Sequence, residues 1–213
     1  MLDNIIVRGL FRICDLLLLN ILWIICSIPV ITIGASTTAL YSVTLKMVVS
    51  EEGYIVRDFR KAFVENFKQS TVIWGILLFT GCFMIIDFVI MSKISGVLKI
   101  LGMICLGMAT LFYIMEVIFI FPLVAKFKNT TVNMLKNGLL IPISRLGLAF
   151  IVMMITGVCI VATFFNITTV LVGAVVWTLI GGALLTYINS FFLLKMLEPC
   201  LLYTSPSPRD RQK

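Results

Sequence analysis

The stretch Asp15–Ser50, DLLLLNILWIICSIPVITIGASTTALYSVTLKMVVS, carries no charge between Asp15 and Lys46. A charge-free run of that length belongs in lipid. It is nevertheless too long for one comfortable span, since thirty helical residues rise about 45 Å against a hydrocarbon core of about 30 Å. Near its middle stand Ser27-Ile28-Pro29 and Thr32-Ile33-Gly34-Ala35-Ser36-Thr37-Thr38. Proline removes a backbone donor and disfavours helix at the residue before it, and a hydroxyl at a helix start relieves freed amides. The stretch therefore predicts two helices joined by a tight, largely apolar turn.

Composition extends this reading to the whole chain. Of 213 residues, 61% are hydrophobic and 13% charged, whereas soluble domains run near a quarter charged. The net charge of +7 is gathered in two segments, which in a membrane protein mark loops beside anionic lipid rather than a nucleic-acid surface. The six cysteines, at 14, 26, 82, 105, 159 and 200, form no CxxC pair and read as small buried hydrophobes. Histidine is absent, which removes the commonest general base and metal ligand; no metal site and no cofactor are expected. Arg8 and Arg12 precede an apolar run without a convincing cleavage site, so the first span is expected to be retained rather than cleaved as a signal.

The expected fold is all-α: a polytopic transmembrane bundle of about six spans, or five if the first helix pair is re-entrant, with one cytoplasmic amphipathic helix. A single domain covers residues 1–200, with spans near 13–27, 32–49, 71–91, 97–121, 146–165 and 170–194. In EEGYIVRDFRKAFVENFKQS (51–70), Ile55, Phe59, Phe63 and Phe67 recur every four residues, while Arg57, Arg60, Lys61, Glu65 and Lys68 take other positions. This pattern predicts a helix over 54–69 lying on the cytoplasmic surface, with Arg57, Phe59, Arg60, Lys61, Phe63 and Phe67 available to a partner or to lipid. Residues 126–145 read as a second basic loop. With six spans, Arg8, Arg12, Lys46, the basic residues of 57–68 and 126–145, and Lys195 fall on one side. Only Lys93 and Lys99 fall on the other, so both termini are expected to be cytoplasmic. From Leu201 the sequence turns to LLYTSPSPRDRQK, which reads as a non-native read-through tail; the natural C-terminus is expected to be missing after about Pro199.

Two ionisable residues fall inside spans. A charge at bilayer depth costs about 3 kcal/mol or more, so such residues are rarely accidental. Asp87 lies near the outer end of the third span, where Lys93 could reach it, and reads first as structural. Glu116 is deeper, with no basic residue in a neighbouring turn. It suits a proton relay, a cation contact, or a polar anchor between helices. In the first helix pair, Asn20, Ser27, Thr32, Ser36, Thr37 and Thr38 are the polar members, and small or hydroxylated residues commonly hold membrane helices together. A sharper possibility is that a helix starting at Gly34-Ala35-Ser36 aims free amides at an anionic or polyhydroxylated group. No Walker A, GxSxG or HExxH pattern occurs, and no nucleophile–base pair is visible, so an enzyme is not expected.

With these segments placed, the chain resembles the YesL family of bacterial integral membrane proteins. The resemblance is carried by DLLLLNILWIICSIPVITIGASTTALYSV (15–43), by Glu51-Glu52-Gly53 with FRKAFVENFKQS (59–70), and by FPLVAKFKNTTVNMLKNGLL (121–140). It implies a bacterial cytoplasmic membrane location and a part in carbohydrate uptake or its regulation, and supplies no catalytic residues. Three functions are weighed on this basis. The first is an accessory component of carbohydrate uptake, with carbohydrate ABC transporter components as partners. The second is a small self-contained transporter or channel using Glu116, and the third a membrane structural or interaction protein.

Overall fold

The computed structural model describes residues 2–49 and 53–204, and side chains within residues 7–197 apart from Arg8 and 50–52. Glu51 and Glu52, the side chains of Arg8 and Cys200, and the tail from 205 onward lie outside what is described. Among those described, every regular element is helical. The α-helices are α1 (Leu2–Ser27), α2 (Ile33–Val48), α3 (Ile55–Lys93), α4 (Val97–Lys126), α5 (Thr131–Ser144), α6 (Leu146–Phe164), α7 (Ile167–Val176) and α8 (Gly182–Thr204). A 3₁₀ turn, Val30–Thr32, leads into α2, and a π-helical turn, Trp177–Gly181, joins α7 to α8.

Five helical segments are long and apolar enough to cross a membrane: Gly9–Ser27, Ile55–Lys93, Val97–Lys126, Leu146–Phe164 and Ile167–Leu197. The expected break at Pro29 is present. The Thr32 hydroxyl lies 2.6 Å from the Cys26 carbonyl and 2.7 Å from that of Pro29, tying the turn together. Helix α2 departs from the full second span expected there. With 16 residues it rises only about 24 Å, and eleven of those residues are buried. It is the central strut of the bundle, packed by α1, α3, α4 and α8.

The predicted surface helix over 54–69 and the span over 71–91 are one helix, α3 (39 residues). Nothing at Gln69–Ser70–Thr71 breaks it, because no proline or glycine stands there and Ser70 is held by packing against α2. Lys46 pairs with Asp58 at 3.5 Å, the Thr38 and Ser70 hydroxyls meet at 2.9 Å, and the Trp74 indole donates to the Val30 carbonyl at 2.8 Å. These contacts set α2 antiparallel along the first half of α3. The second half pairs with α4 instead. Tyr113 donates to the Leu77 carbonyl at 3.0 Å, and a Cβ on Gly102 would stand 2.5 Å from the Met91 sulfur. The α3–α4 hairpin turns at Gly96, whose φ of +84° is a left-handed conformation suited to glycine.

Residues 126–145, expected as a loop, contain α5. Met134, Gly138 and Pro142 recur at helical spacing and are buried, and Thr130 caps the start by accepting the Asn133 amide. Likewise α4 does not stop at Pro122 but continues to Lys126. Asn166 and Thr169 form a capping box that starts α7 where a turn was expected.

Candidate functional site

Gly34 and Ser36 lie in the first turns of α2, where free amides could have faced a ligand. A Cβ on Gly34 would stand 2.6 Å from the Ser70 carbonyl, 2.7 Å from Trp74 Cβ and 3.1 Å from Phe121. Glycine is needed there because three helices, α2, α3 and α4, converge on one point. The helix start is a packing surface and not an open cradle, which corrects the anion-site reading. Ser36 is fully buried, with its hydroxyl unpartnered.

Asn20 serves the second sequence reading, that of a polar anchor. Its amide nitrogen donates to the Trp177 and Thr178 carbonyls, each at 3.0 Å, and its oxygen accepts the Ala183 amide at 3.0 Å. A π turn breaks the i→i−4 ladder and leaves backbone groups free; in an apolar interior each must find a partner. One fully buried side chain on α1 bonds three backbone groups, the Trp177 and Thr178 carbonyls of the turn and the Ala183 amide just after it. The sequence announced the asparagine but not its partners, because an irregular turn inside an apolar run such as VVWTLIGGALL has no compositional mark.

The aromatic stripe on α3 is divided. Phe59 is buried among Leu16, Leu19, Leu40 and Val43, so it cannot meet a partner or lipid as expected. Phe63 is half-buried and stacks between Phe59 and Phe67, with ring centroids at 6.3 and 5.5 Å, and only Phe67 reaches the surface. Arg57, Arg60 and Lys61 are exposed and, with Tyr54, Val56, Val64 and Glu65, line a shallow surface groove. Among the described residues the single ion pair is Lys46–Asp58; Lys61 and Glu65, though four apart, do not close one. Arg12 donates instead to the Met47 carbonyl, fastening the start of α1 to the end of α2.

Asp87 and Glu116, which the sequence could treat only separately, share one groove. It has a volume of about 390 Å³ between α3, α4 and α5, with Asp87, Met84 and Leu106 toward one end and Glu116, Leu135 and Leu139 toward the other. Thr80, Phe112 and Tyr113 stand between them. By the α3–α4 register Asp87 lies near Leu106, about ten residues or about 15 Å along the hairpin from Glu116. Glu116 is 7% exposed, and both carboxyl oxygens are buried without a hydrogen-bond partner. Its carboxyl rests against Gly138 of α5, where a Cβ would come within 2.5 Å of Oε1. Gly138 escaped the sequence reading; the one available signal was a glycine among apolar residues in NMLKNGLL.

Residues 16–88 match the family model described as "Protein of unknown function, DUF624". The matched segment takes in the second half of α1, α2, nearly all of α3, the convergence at Gly34, the basic residues 57–61 and Asp87. Glu116 and Gly138 lie outside it. The match covers about a third of the chain, including two of the three blocks behind the YesL resemblance. No curated protein and no solved structure is found to match the chain.

Proposed function

We propose that this protein is a non-enzymatic accessory or regulatory component of carbohydrate uptake in the bacterial cytoplasmic membrane, with both termini on the cytoplasmic side, since the α1–α2 hairpin returns to the end it started from, where Arg12 meets Met47. One observation carries the accessory role. Helix α3 is a single rod whose N-terminal half exposes Arg57, Arg60 and Lys61 and whose C-terminal half is an apolar, membrane-length segment. A partner that binds the basic end acts on a rigid element continuous with the lipid-embedded hairpin. The convergence at Gly34 locks that rod to the bundle. The carbohydrate context rests on the YesL resemblance, and the cytoplasmic placement of the basic end on the excess of Lys and Arg there. The test is crosslinking in cells followed by purification and mass spectrometry. The wild type is expected to recover a sugar-transporter ATPase or permease, and the R57E/R60E/K61E variant to lose it while remaining folded. Recovery of the protein alone, or only with itself, overturns the reading.

A second reading, a small transporter or channel, is favoured by the groove that Asp87 and Glu116 share. It predicts flux of a charged solute in liposomes that falls in Glu116→Gln. Unchanged flux in that variant removes Glu116 from the mechanism.

A further inference from the structure

The geometry points to the α3–α4–α5 groove as a binding site for a hydrophobic organic cation, a protonated amine on an apolar body, with Glu116 as its anionic contact. The inference deepens the transporter reading by naming a ligand class.

Three observations converge. A carboxyl more than nine-tenths buried with neither oxygen partnered is an acceptor in want of a donor, because a buried polar group without a hydrogen bond is costly. The groove it lines is roomy enough for a small ligand and otherwise apolar, with the Phe112 and Tyr113 rings available to a cation. A second carboxyl, Asp87, stands toward the other end of the same groove.

The donor set also discriminates between cations. Calcium-like and magnesium-like ions take about six oxygens. No group of three or more Asp, Glu, Cys or His gathers among the described residues, and no donor bonds either Glu116 oxygen. An ammonium group needs only the carboxyl oxygens, and its carbon body covers the apolar wall. Those oxygens now rest on Gly138, and amine binding requires them to turn about the Glu116 side-chain bonds into the groove.

The experiment is binding of phenethylammonium to the full chain in phosphatidylcholine nanodiscs, by equilibrium dialysis, with uncharged 2-phenylethanol as comparator. No gradient is applied, so absence of flux and absence of binding are separate results. Saturable amine binding is expected, at least tenfold weaker in Glu116→Gln, with phenylethanol insensitive to that change. Leu139→Trp, which fills the groove from α5 and leaves both carboxyls in place, is expected to weaken amine binding at least tenfold as well. Equal binding by wild type and Glu116→Gln, or no saturable binding by the wild type, overturns the proposal. Should Glu116→Gln not fold, unaltered binding by Leu139→Trp overturns it alone.

Discussion

Gly138 of α5 is the surface on which the Glu116 carboxyl of α4 rests; a methyl group there would lie 2.5 Å from Oε1 and 2.8 Å from Cδ. Helix α5 can approach α4 this closely because one residue has no side chain and the other has a flexible one. The consequences at this contact therefore differ from those at Gly34, where the obstacle is backbone.

Gly138→Ala is expected to lower the stability of the purified protein by under about 1 kcal/mol, because the Glu116 carboxyl can turn aside and alanine favours the helix. Glu116→Ala in the same chain removes the clash, so the double variant is expected to be more stable than Gly138→Ala combined additively with Glu116→Ala. A double-mutant cycle from thermal or denaturant unfolding in detergent checks this, and strict additivity would show that the two residues do not interact.

Gly34→Val is expected to abolish accumulation of folded protein. The Ser70 carbonyl stands 2.6 Å from the new Cβ and belongs to the α3 backbone, which cannot swing aside. Expression level and gel-filtration profile are the readouts. A well-folded Gly34→Val protein would contradict the three-helix convergence.

Asn20→Leu removes the side-chain bonds to two carbonyls of the π turn and to the Ala183 amide just after it. Each unmade bond costs about 1–3 kcal/mol in an interior, so the loss is expected to exceed that of an ordinary core substitution. Asn20→Asp keeps the acceptor for Ala183 and loses both donations. It is expected to destabilise as well, whereas removal of the half-exposed Lys46–Asp58 pair by Asp58→Asn is expected to cost about 1 kcal/mol or less. Unfolding free energies of the three variants, measured side by side, give the order.

The continuity of α3 is open to a distance measurement. Spin labels at the exposed positions Lys61 and Phe88 are expected about 40 Å apart along an unbroken helix. A surface helix meeting a span at a right angle near Ser70 would bring them to about 30 Å. A distance distribution centred on the shorter value would restore the separate amphipathic helix.

The Ile55/Phe59/Phe63/Phe67 stripe shows where reading by periodicity stops. Four-residue spacing established a helix with one apolar face, and that much is observed. Spacing is silent on what the face meets, and a stripe made for lipid looks the same as one made for a neighbouring helix. Phe59 lies in the core because α1 and α2 fold back beside α3, a fact of tertiary arrangement. The short α5 was missed for a related reason: a few polar and basic residues outweighed the apolar positions that only packing reveals as a face.

The sequence by itself determined the helical, membrane-type character of the chain, the break at Pro29, the tip of the α3–α4 hairpin and the two buried-segment carboxyls. Each arises from local chemistry: charge-free length, a missing backbone donor, a run of turn residues, an ionisable group in an apolar stretch. Only the tertiary structure decided that α2 is a short central strut, that Asn20 completes a distant π turn, and that Asp87 and Glu116 face one groove. Those outcomes depend on which helices lie side by side and in what register, and register is set by contacts between residues far apart in the chain.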